Sequence, residues 1–230
     1  IKVTIDVVPE MYEIFLGSVG SIVGDVPLMR IVAGRQPRYL GWIKRAIDIV
    51  GALLLTIITC PIWIIGGLAV LIESGFPVMY KQERVGLHQK PFNVYKMRTM
   101  VKDAEKLSGP MLATEDDPRI TKVGKILRTY RIDELPQLIN VLEGSMSFIG
   151  PRPERPVFVA EHLKTIPGYA ERFRIKPGVT GLAQINGGYA TTPARKLKYD
   201  LMYLYHQSIG MDVQVVVETL KVVLTGKGAR

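Results

Sequence analysis

With 230 residues, the chain has the length of one domain with a short appended element. Its formal net charge of +9 favours anionic partners, namely lipid headgroups, phosphorylated ligands or nucleic acid, and does not choose among them. A single cysteine, Cys60, excludes an intrachain disulfide framework and a cysteine-rich zinc site.

Residues 1–38 are predicted to be the tail of a preceding domain and a linker. Residues 1–8 alternate apolar and polar side chains like a strand, residues 10–22 can form a helix, and residues 26–32 are a second apolar segment. This order is typical of an α/β unit, and a second domain is predicted over residues 39–230. Because the chain does not begin with methionine and has no signal-peptide pattern, we expect a truncated or processed piece of a longer protein.

The most distinctive feature is an uncharged run from Ile49 to Ile72, in a chain with 47% hydrophobic and 22% charged residues. A straight helix of this length would span roughly 36 Å, more than the roughly 30 Å hydrocarbon core of a bilayer. Cys60 and Pro61 stand near its middle, and proline bends a helix and exposes polar backbone. Two topologies are open: a kinked crossing, or a helix over about residues 43–73 that enters the bilayer and returns to the same face.

Basic residues stand on both sides of the run, Lys44 and Arg45 before it and Lys81 and Arg84 after it. The charge bias therefore assigns no inside and outside, and these symmetric flanks favour the re-entrant helix. Lys44, Arg45 and Asp48 have helical spacing, so an ion pair between Lys44 and Asp48 is predicted at the membrane surface. The three residues are interpreted as an interfacial anchor.

Short elements are predicted for the remainder of the chain. In order, they are strands at 78–86 and 91–98 around a turn, helices at 100–107, 122–130 and about 134–143, proline-glycine turns at 150–154 and 176–181, and amphipathic helices at 196–206 and 212–224. The last helix carries an apolar stripe of Val213, Val216, Val217, Leu220 and Leu224. Both proline-glycine turns bear cationic side chains and are typical of ligand-binding loops.

Asp133 and Glu134 are adjacent carboxylates at a predicted helix start, among Arg128, Arg131 and Arg152. One interpretation is structural: Asp133 caps the helix, and Glu134 interacts favourably with the helix dipole. The other is chemical, because adjacent carboxylates can divide the work of attacking a phosphorus centre and holding a divalent cation. The spacing does not decide between these roles, and they are compatible.

Arginine suits phosphate because its planar guanidinium donates two parallel hydrogen bonds. In the motif Gly150-Pro151-Arg152-Pro153, two prolines restrict the backbone around such a group. An exposed arginine on a surface turn is the simpler interpretation of this motif alone. The chain has no Walker loop, no dinucleotide-binding glycine pattern and no nucleophile elbow, so those enzyme classes are unsupported.

Several motifs occur in one consistent order between about Tyr39 and Leu224. They are Lys44-Arg45 with Asp48, the apolar helix broken by Pro61, Val94 to Met100, Arg128 ahead of Asp133 to Leu138, Asn140 to Ser147, Gly150 to Pro153, and Lys176 to Gly181. Together these motifs resemble the bacterial sugar transferase family, the monotopic polyprenyl-phosphate phosphoglycosyl transferases. No single motif is specific, whereas the ordered set is.

The resemblance implies an α+β fold: a mostly helical monotopic membrane domain with a Pro-kinked re-entrant helix, a small β-hairpin and interfacial amphipathic helices. It also implies an enzyme that transfers sugar-1-phosphate from a UDP-sugar to undecaprenyl phosphate with Mg2+, giving undecaprenyl-diphosphate-sugar and UMP. Such enzymes initiate exopolysaccharide, capsule or O-antigen synthesis at the cytoplasmic face of the bacterial inner membrane. The expected partners are the two substrates and membrane lipid, and no nucleic acid.

The same resemblance assigns roles to individual residues. Asp133 would attack the sugar-bearing phosphorus and form a covalent phospho-aspartyl intermediate that the lipid phosphate resolves, and Glu134 with Asp133 would bind Mg2+. Substrate and phosphate binding would involve Arg128, Arg152, Lys96, Arg98 and Lys176. A helix start, arginines and a dication would concentrate positive charge at the phosphate oxygens.

One position departs from the family pattern. The family commonly has serine before the helix-breaking proline, where its hydroxyl can bond freed backbone groups, and this chain has Cys60, a weaker hydrogen-bonding partner. Pro61 is retained, so the re-entrant helix is still expected. The opening residues resemble the end of the Rossmann-like domain of larger members, which would also have an N-terminal membrane bundle. Such an appended element is compatible with a homodimer.

A non-catalytic alternative is a membrane-anchored basic protein that acts as a binding partner or scaffold for lipid or nucleic acid. It predicts a stripe of basic residues with no carboxylates nearby. Here Arg128 and Arg131 are instead interleaved with Asp133 and Glu134, which favours a metal and phosphate site. The sequence therefore favours the transferase.

Overall fold

The computed structural model describes residues 4–7, 21–23, 26–32, 38–104, 109, 117–186 and 191–225. Near the N-terminus, three short strands form an antiparallel sheet in the order β1-β3-β2: β1 (Thr4–Val7), β2 (Ser21–Val23) and β3 (Val26–Val32). The two apolar segments predicted here are thus confirmed as strands. The antiparallel pairing differs from the mostly parallel sheet of a Rossmann-like domain.

The helix predicted over residues 10–22 lies outside the described residues except at its end. There Ser21 and Ile22 belong to β2, because they pair with Leu28 and Pro27 of β3. The last two residues of that prediction are therefore wrong. The boundary between two domains at residue 38 stays a prediction.

Helix α1 (Arg38–Ser74) is 37 residues long and contains the whole apolar run, with Pro61 inside it. The part of α1 over residues 41–74 is long and apolar enough to cross a membrane, and only 11% of the 18-residue apolar segment within it is buried inside the protein. Both arms of α1 contact the globular part of the protein, since Ala52 is 0% and Val70 1% exposed. Between the arms, none of residues 53–62 is buried.

Helical structure continues through Pro61. Two hydroxyls before the proline donate to carbonyls one turn earlier, Thr56 Oγ1 to Ala52 O at 2.7 Å and Thr59 Oγ1 to Leu55 O at 2.6 Å. Such bonds favour bending of a helix. These side-chain hydrogen bonds to helix carbonyls therefore come from two threonines just before residue 60, and Cys60 itself is exposed. The helix extends slightly beyond the predicted bounds at both ends, and re-entry itself stays a prediction.

The predicted hairpin is confirmed. Strands β4 (Met79–Val85) and β5 (Pro91–Met97) pair antiparallel around a short 3-10 turn. Helix α2 (Lys122–Thr129) is confirmed as well, and the Thr121 hydroxyl caps it by accepting from Gly124 N at 2.9 Å. Glu73 at the end of α1 accepts from the first two backbone N–H groups of α2, which joins the two helices.

Two predicted helices begin differently in the structure. The helix predicted from Met100 is wrong at its start, because Met100 forms a β-bridge with Ile120 and a turn follows. The helix predicted from about Glu134 is divided into a 3-10 turn at Ile132–Glu134 and helix α3 (Gln137–Glu143). Pro136 stands between them at the N-cap of α3, where its missing N–H costs no helical bond.

The C-terminal half is mostly helical. It contains β6 (Ser147–Ile149), α4 (Pro156–Thr165), a 3-10 helix (Tyr169–Arg174), β7 (Gly178–Thr180), α5 (Leu182–Asn186), α6 (Pro193–His206) and α7 (Ile209–Thr225). Strands β6 and β7 pair in parallel. The expected α+β class, mostly helical with a small hairpin, therefore agrees with the structure.

Two of the four apolar clusters among the described residues join α1 and the hairpin to the C-terminal elements. One joins α1 and β5 to α3 and β6 through Ala52, Val94, Leu138, Val141 and Met146. The other joins β6 to α5, α6 and α7 through Ile149, Leu182, Ala183, Tyr199, Tyr203 and Val215. Four members of the stripe predicted on α7 do not enter this core, since they are exposed: Val213, Val216, Val217 and Leu220.

Candidate active site

Asp133 and Glu134 lie in the tight 3-10 turn between α2 and α3. Arg131 enters this turn in the left-handed conformation, with φ of 54°. Asp133 is 7% exposed, and α3 starts at Pro136 without a side-chain cap. The capping role predicted for Asp133 is therefore wrong: the carboxylate is buried in the turn, three residues before Pro136, which occupies the N-cap position of α3.

Three cationic side chains contact the carboxylate of Glu134. Lys96 Nζ, from β5, lies 2.8 Å from Oε1, and Arg131 Nη1 lies 3.6 Å from Oε2. Arg152, from the loop after β6, makes a forked contact, with Nη2 2.6 Å from Oε1 and Nη1 3.4 Å from Oε2. Burial alone would raise the pKa of Glu134, but Arg152 and Lys96 outweigh it and hold that pKa well below its usual range.

The pKa of Asp133 moves in the opposite direction. Burial, reinforced by the negative charge of Glu134, raises it to about 6, against the opposing effects of Lys96, Arg128 and Arg152. Asp133 is thus a poorly solvated carboxylate, with a pKa closer to neutrality than that of an ordinary aspartate, next to a fixed cationic group. This is the state expected of a carboxylate that attacks an electrophile.

Arg128, on α2, is close enough for its charge to oppose the rise in the pKa of Asp133. Its Nε donates to Thr99 Oγ1 at 2.8 Å, which orders the side chain. Arg128, Lys96 and Arg152 therefore surround the two carboxylates from three separate elements. The structure brings together five of the predicted site residues: Asp133, Glu134, Arg128, Arg152 and Lys96.

Two predicted binding residues lie elsewhere. Arg98 is 7% exposed, and its Nη2 donates to Ser74 O at 2.5 Å and Gly75 O at 2.6 Å, so it closes the C-terminal end of α1. Lys176 lies at the opposite end of α3 from Asp133, beside Gly144. Burial, and then the charge of Arg45, lowers the pKa of Lys176.

The predicted ion pair between Lys44 and Asp48 is wrong. Lys44 Nζ instead lies 2.7 Å from Asp212 Oδ2. Asp48, only 4% exposed, accepts from Ser147 Oγ and Phe148 N, both at 3.0 Å. Both side chains face the globular part of the protein and find their partners on other elements, so they do not pair with each other.

Arg45 completes the contact between α1 and the globular part. Its Nη1 donates to Val141 O at 2.5 Å and its Nη2 to Leu142 O at 2.7 Å, near the C-terminal end of α3. A cation is favoured there because the last carbonyls of a helix carry partial negative charge. The predicted anchor residues therefore fasten α1 to the carboxylate-bearing part of the protein.

The loop that carries Arg152 interlocks with the segment around β7. Gly150 N donates to Thr180 O at 3.0 Å, and Gly178 N donates to Pro151 O at 3.0 Å. A Cβ atom on Gly150 would lie 2.3 Å from Lys176 O, so only glycine allows the two backbones this approach. The two proline-glycine turns of the sequence thus form one unit.

Comparison with known proteins agrees with this geometry. The family profile described as bacterial sugar transferase matches residues 38–226. The chain belongs to the bacterial sugar transferase family. The matched residues include α1, the carboxylate turn and both interlocked loops, and they leave out the N-terminal strands.

Three characterised sugar transferases illustrate the similarity. The chain is 41% identical over 192 residues to a UDP-N-acetylgalactosamine-undecaprenyl-phosphate N-acetylgalactosaminephosphotransferase of Aeromonas hydrophila, covering 82% of this chain and 45% of that one. Two UDP-glucose:undecaprenyl-phosphate glucose-1-phosphate transferases are also similar: that of Escherichia coli is 41% identical, covering 77% of this chain and 39% of its own, and that of Caulobacter vibrioides is 39% identical, covering 81% and 71%.

The chain therefore spans less than half the length of two of these sugar transferases. Relatives of equal identity are named for different sugars, N-acetylgalactosamine and glucose. Overall identity across this part of the chain consequently does not separate the sugars.

The carboxylates at this site suit a metal ion only in a particular way. Among the described residues there is no group of three or more His, Cys, Asp or Glu side chains that would cage a metal. Asp133 and Glu134 supply adjacent carboxylates, and Mg2+ is commonly held by one or two carboxylates together with substrate phosphates. The residues present therefore fit a Mg2+ ion shared with a diphosphate substrate.

Some residues at this site have weak or no sequence signals. Arg131 stands three positions before Glu134, a spacing that predicts contact in a helical turn. Arg172 and Asp200, which form a buried ion pair behind Arg152, lie on separate elements and have no motif in common. Only the tertiary structure brings that pair to the site.

Proposed function

We propose that this sugar transferase moves sugar-1-phosphate from a UDP-sugar to undecaprenyl phosphate, giving undecaprenyl-diphosphate-sugar and UMP. The observation that carries the proposal is the buried Asp133 carboxylate, whose neighbour Glu134 collects three cations at its side. The names of the similar transferases support the donor and acceptor classes.

In the first step of the proposed reaction, a carboxylate oxygen of Asp133 attacks the sugar-bearing phosphorus of the UDP-sugar. A bond forms between that oxygen and phosphorus while the bond to the bridging oxygen breaks, and the electron pair leaves with UMP. In the second step, a phosphate oxygen of the lipid attacks the same phosphorus and returns Asp133 to its carboxylate form. No proton acceptor is needed, because both nucleophiles react as anions.

The surrounding cations stabilise the charge that develops in both steps. Lys96 and Arg152 are already ordered by Glu134, so they need little reorganisation when phosphate oxygens arrive. Arg128 is ordered by Thr99 in the same way. Asp133 and Glu134 would hold Mg2+, which when bound neutralises diphosphate charge.

We also place α1 in the membrane as a re-entrant helix, with the site at the cytoplasmic face of the inner membrane. Both arms of α1 pack against the same globular part of the protein. Residues 53–62, between the arms, are not buried against it. Large apolar side chains are exposed along this stretch, for example Ile57 at 70% and Ile58 at 69%. A helix that enters and returns keeps both arms on the same side as Asp133.

A non-catalytic basic scaffold fits the site less well. That alternative predicts cations without carboxylates, whereas Lys96, Arg131 and Arg152 all converge on Glu134. Nucleic acid is accordingly not part of the proposal.

The test is release of UMP by the purified protein in lipid nanodiscs, with undecaprenyl phosphate, Mg2+ and a panel of UDP-hexoses and UDP-N-acetylhexosamines. We expect release with at least one donor, loss of release after chelation of Mg2+, and its loss in Asp133→Asn. Glu171→Gln changes an exposed carboxylate paired with Arg174 and is the matched control, with unchanged release. Full turnover by Asp133→Asn would exclude Asp133 as the nucleophile.

A further inference from the structure

The loop of residues 151–154 has no regular secondary structure, yet each of its carbonyl groups accepts a hydrogen bond from another part of the chain. Two of the four donors are backbone N–H groups and two are guanidinium groups. The bonds are Gly178 N to Pro151 O at 3.0 Å, Arg172 Nη2 to Arg152 O at 2.9 Å, Arg84 Nη1 to Pro153 O at 3.0 Å and Val85 N to Glu154 O at 2.9 Å. The backbone that presents Arg152 is therefore held at every residue.

Of the two guanidinium donors, Arg172 is the more deeply buried. It is 4% exposed and forms an ion pair with Asp200, itself 3% exposed, at 2.9 Å between Nη2 and Oδ2. Its Nη1 donates to the Tyr169 hydroxyl, and its guanidinium lies 5.0 Å from the centre of the Tyr169 ring. A buried charge without a counter-ion is costly, so Asp200 allows Arg172 to remain charged inside the protein.

A buried ion pair is weak evidence for stability, because packed apolar side chains of similar volume often stabilise a core as well or better. What an apolar side chain cannot do is donate to the carbonyl of Arg152. The polar partners of Arg172 are that carbonyl, the Tyr169 hydroxyl and Asp200, and they do not include the carboxylates of Asp133 or Glu134. Its position thus suits an orienting role and not direct contact with a substrate.

We propose that Arg172, paired with Asp200, is a positioning residue that holds the Arg152 backbone so that the Arg152 guanidinium meets Glu134 and the substrate phosphates. This inference rests on the proposed function. Arg152 loses little freedom when it binds, because its backbone is fixed by prolines on either side and by the bond from Arg172.

The test is a double-mutant cycle between Arg172→Gln and Arg152→Ala. Its two readouts are kcat/KM for UMP release and the Kd for UDP, measured by calorimetry on the same protein in nanodiscs. If Arg172 acts through Arg152, Arg172→Gln alone lowers kcat/KM by about 10- to 100-fold. In the Arg152→Ala background it then adds less than about a 2-fold loss, because there is no guanidinium left to position.

Two further variants separate positioning from general stability. Arg172→Lys keeps a charge opposite Asp200 and is expected to recover part of the loss, and it replaces Arg172→Gln in the cycle if that variant does not fold. Arg174→Gln breaks the exposed ion pair with Glu171 in the same 3-10 helix and is expected to stay within about 2-fold of wild type.

The outcomes distinguish this inference from the proposed function. If the wild type is active and the double variant loses kcat/KM by the product of the two single-variant losses, the two residues act independently. That result overturns the positioning role of Arg172 and leaves the proposed transferase activity intact. An equal loss in Arg174→Gln also overturns it. If the wild type binds UDP but releases no UMP, the proposed function is overturned. The role of Arg172 can then still be decided from the Kd values for UDP of the wild type, the two single variants and the double variant.

Discussion

Asp133 and Glu134 are neighbours in one 3-10 turn, yet their pKa values move in opposite directions. Burial and the charge of Glu134 raise the pKa of Asp133 to about 6. Arg152 and Lys96 overcome the effect of burial on Glu134 and lower its pKa. Two adjacent carboxylates thus divide into a reactive group and a fixed counter-ion for cations, as expected when environments push paired pKa values apart.

The first prediction concerns pH. Asp133 must be ionised to attack, so kcat/KM for UMP release is expected to fall by about tenfold per pH unit below an apparent pKa near 6. The measurement is initial rate against pH from 5 to 8, with unfolding temperature recorded at each pH.

One other buried carboxyl needs a control. Burial raises the pKa of Asp200 to about 6 as well, against the opposing charge of Arg172. In Asp200→Asn, kcat/KM for UMP release is expected to fall at every pH, while the decrease toward acid pH keeps its midpoint near 6. A decrease that disappears in Asp200→Asn, or a flat profile in the wild type, would contradict the assignment to Asp133.

The second prediction concerns the docking of α1. Asp48→Ala removes the acceptor of Ser147 Oγ and Phe148 N and leaves two donors without it. The free energy of unfolding is expected to fall by about 2–4 kcal/mol. Denaturant unfolding in detergent micelles measures it, and Glu171→Gln, on the surface, should stay within about 0.5 kcal/mol of wild type. An equally small change in Asp48→Ala would show that α1 does not depend on this contact.

The third prediction concerns the interlocked loops. A Cβ on Gly150 would lie 2.3 Å from Lys176 O and 2.9 Å from Gly178 N, so Gly150→Ala must separate the Arg152 loop from β7. We expect a loss of about 100-fold in kcat/KM, because small displacements of a charge-stabilising group are costly. Gly210→Ala, where nothing lies within 4 Å of the added carbon, is the control and should remain near wild type.

The fourth prediction concerns topology. In a Cys60→Ser background, which removes the single cysteine, Trp42→Cys and Phe76→Cys place a thiol beside each arm of α1, where the native side chains are 79% and 76% exposed. A re-entrant helix predicts that a membrane-impermeant maleimide labels both from the same side of sealed vesicles. Labelling from opposite sides would establish a crossing helix. In the wild type, Cys60 should react only after the membrane is dissolved.

Local sequence patterns predicted much of the fold. The apolar run, the hairpin around residues 87–90 and helix α2 were all predicted from alternation, periodicity or turn residues, and the structure contains each of them. The failures lie where distant partners compete with local preference. Met100 pairs with Ile120 instead of beginning a helix, and the predicted Asp133 cap gives way to a tight turn that ends at Pro136.

The membrane-suited run, the carboxylate pair and the ordered motifs of the sugar transferase family can be recognised from the sequence, because each depends on residues close together in the chain. Which charges meet depends instead on the folded chain: Glu134 pairs with Lys96 and Arg152, and Arg172 pairs with Asp200. A long cationic side chain reaches any carboxylate or carbonyl within a few ångströms once the backbone is folded. Sequence spacing therefore does not determine its partner, and folding does.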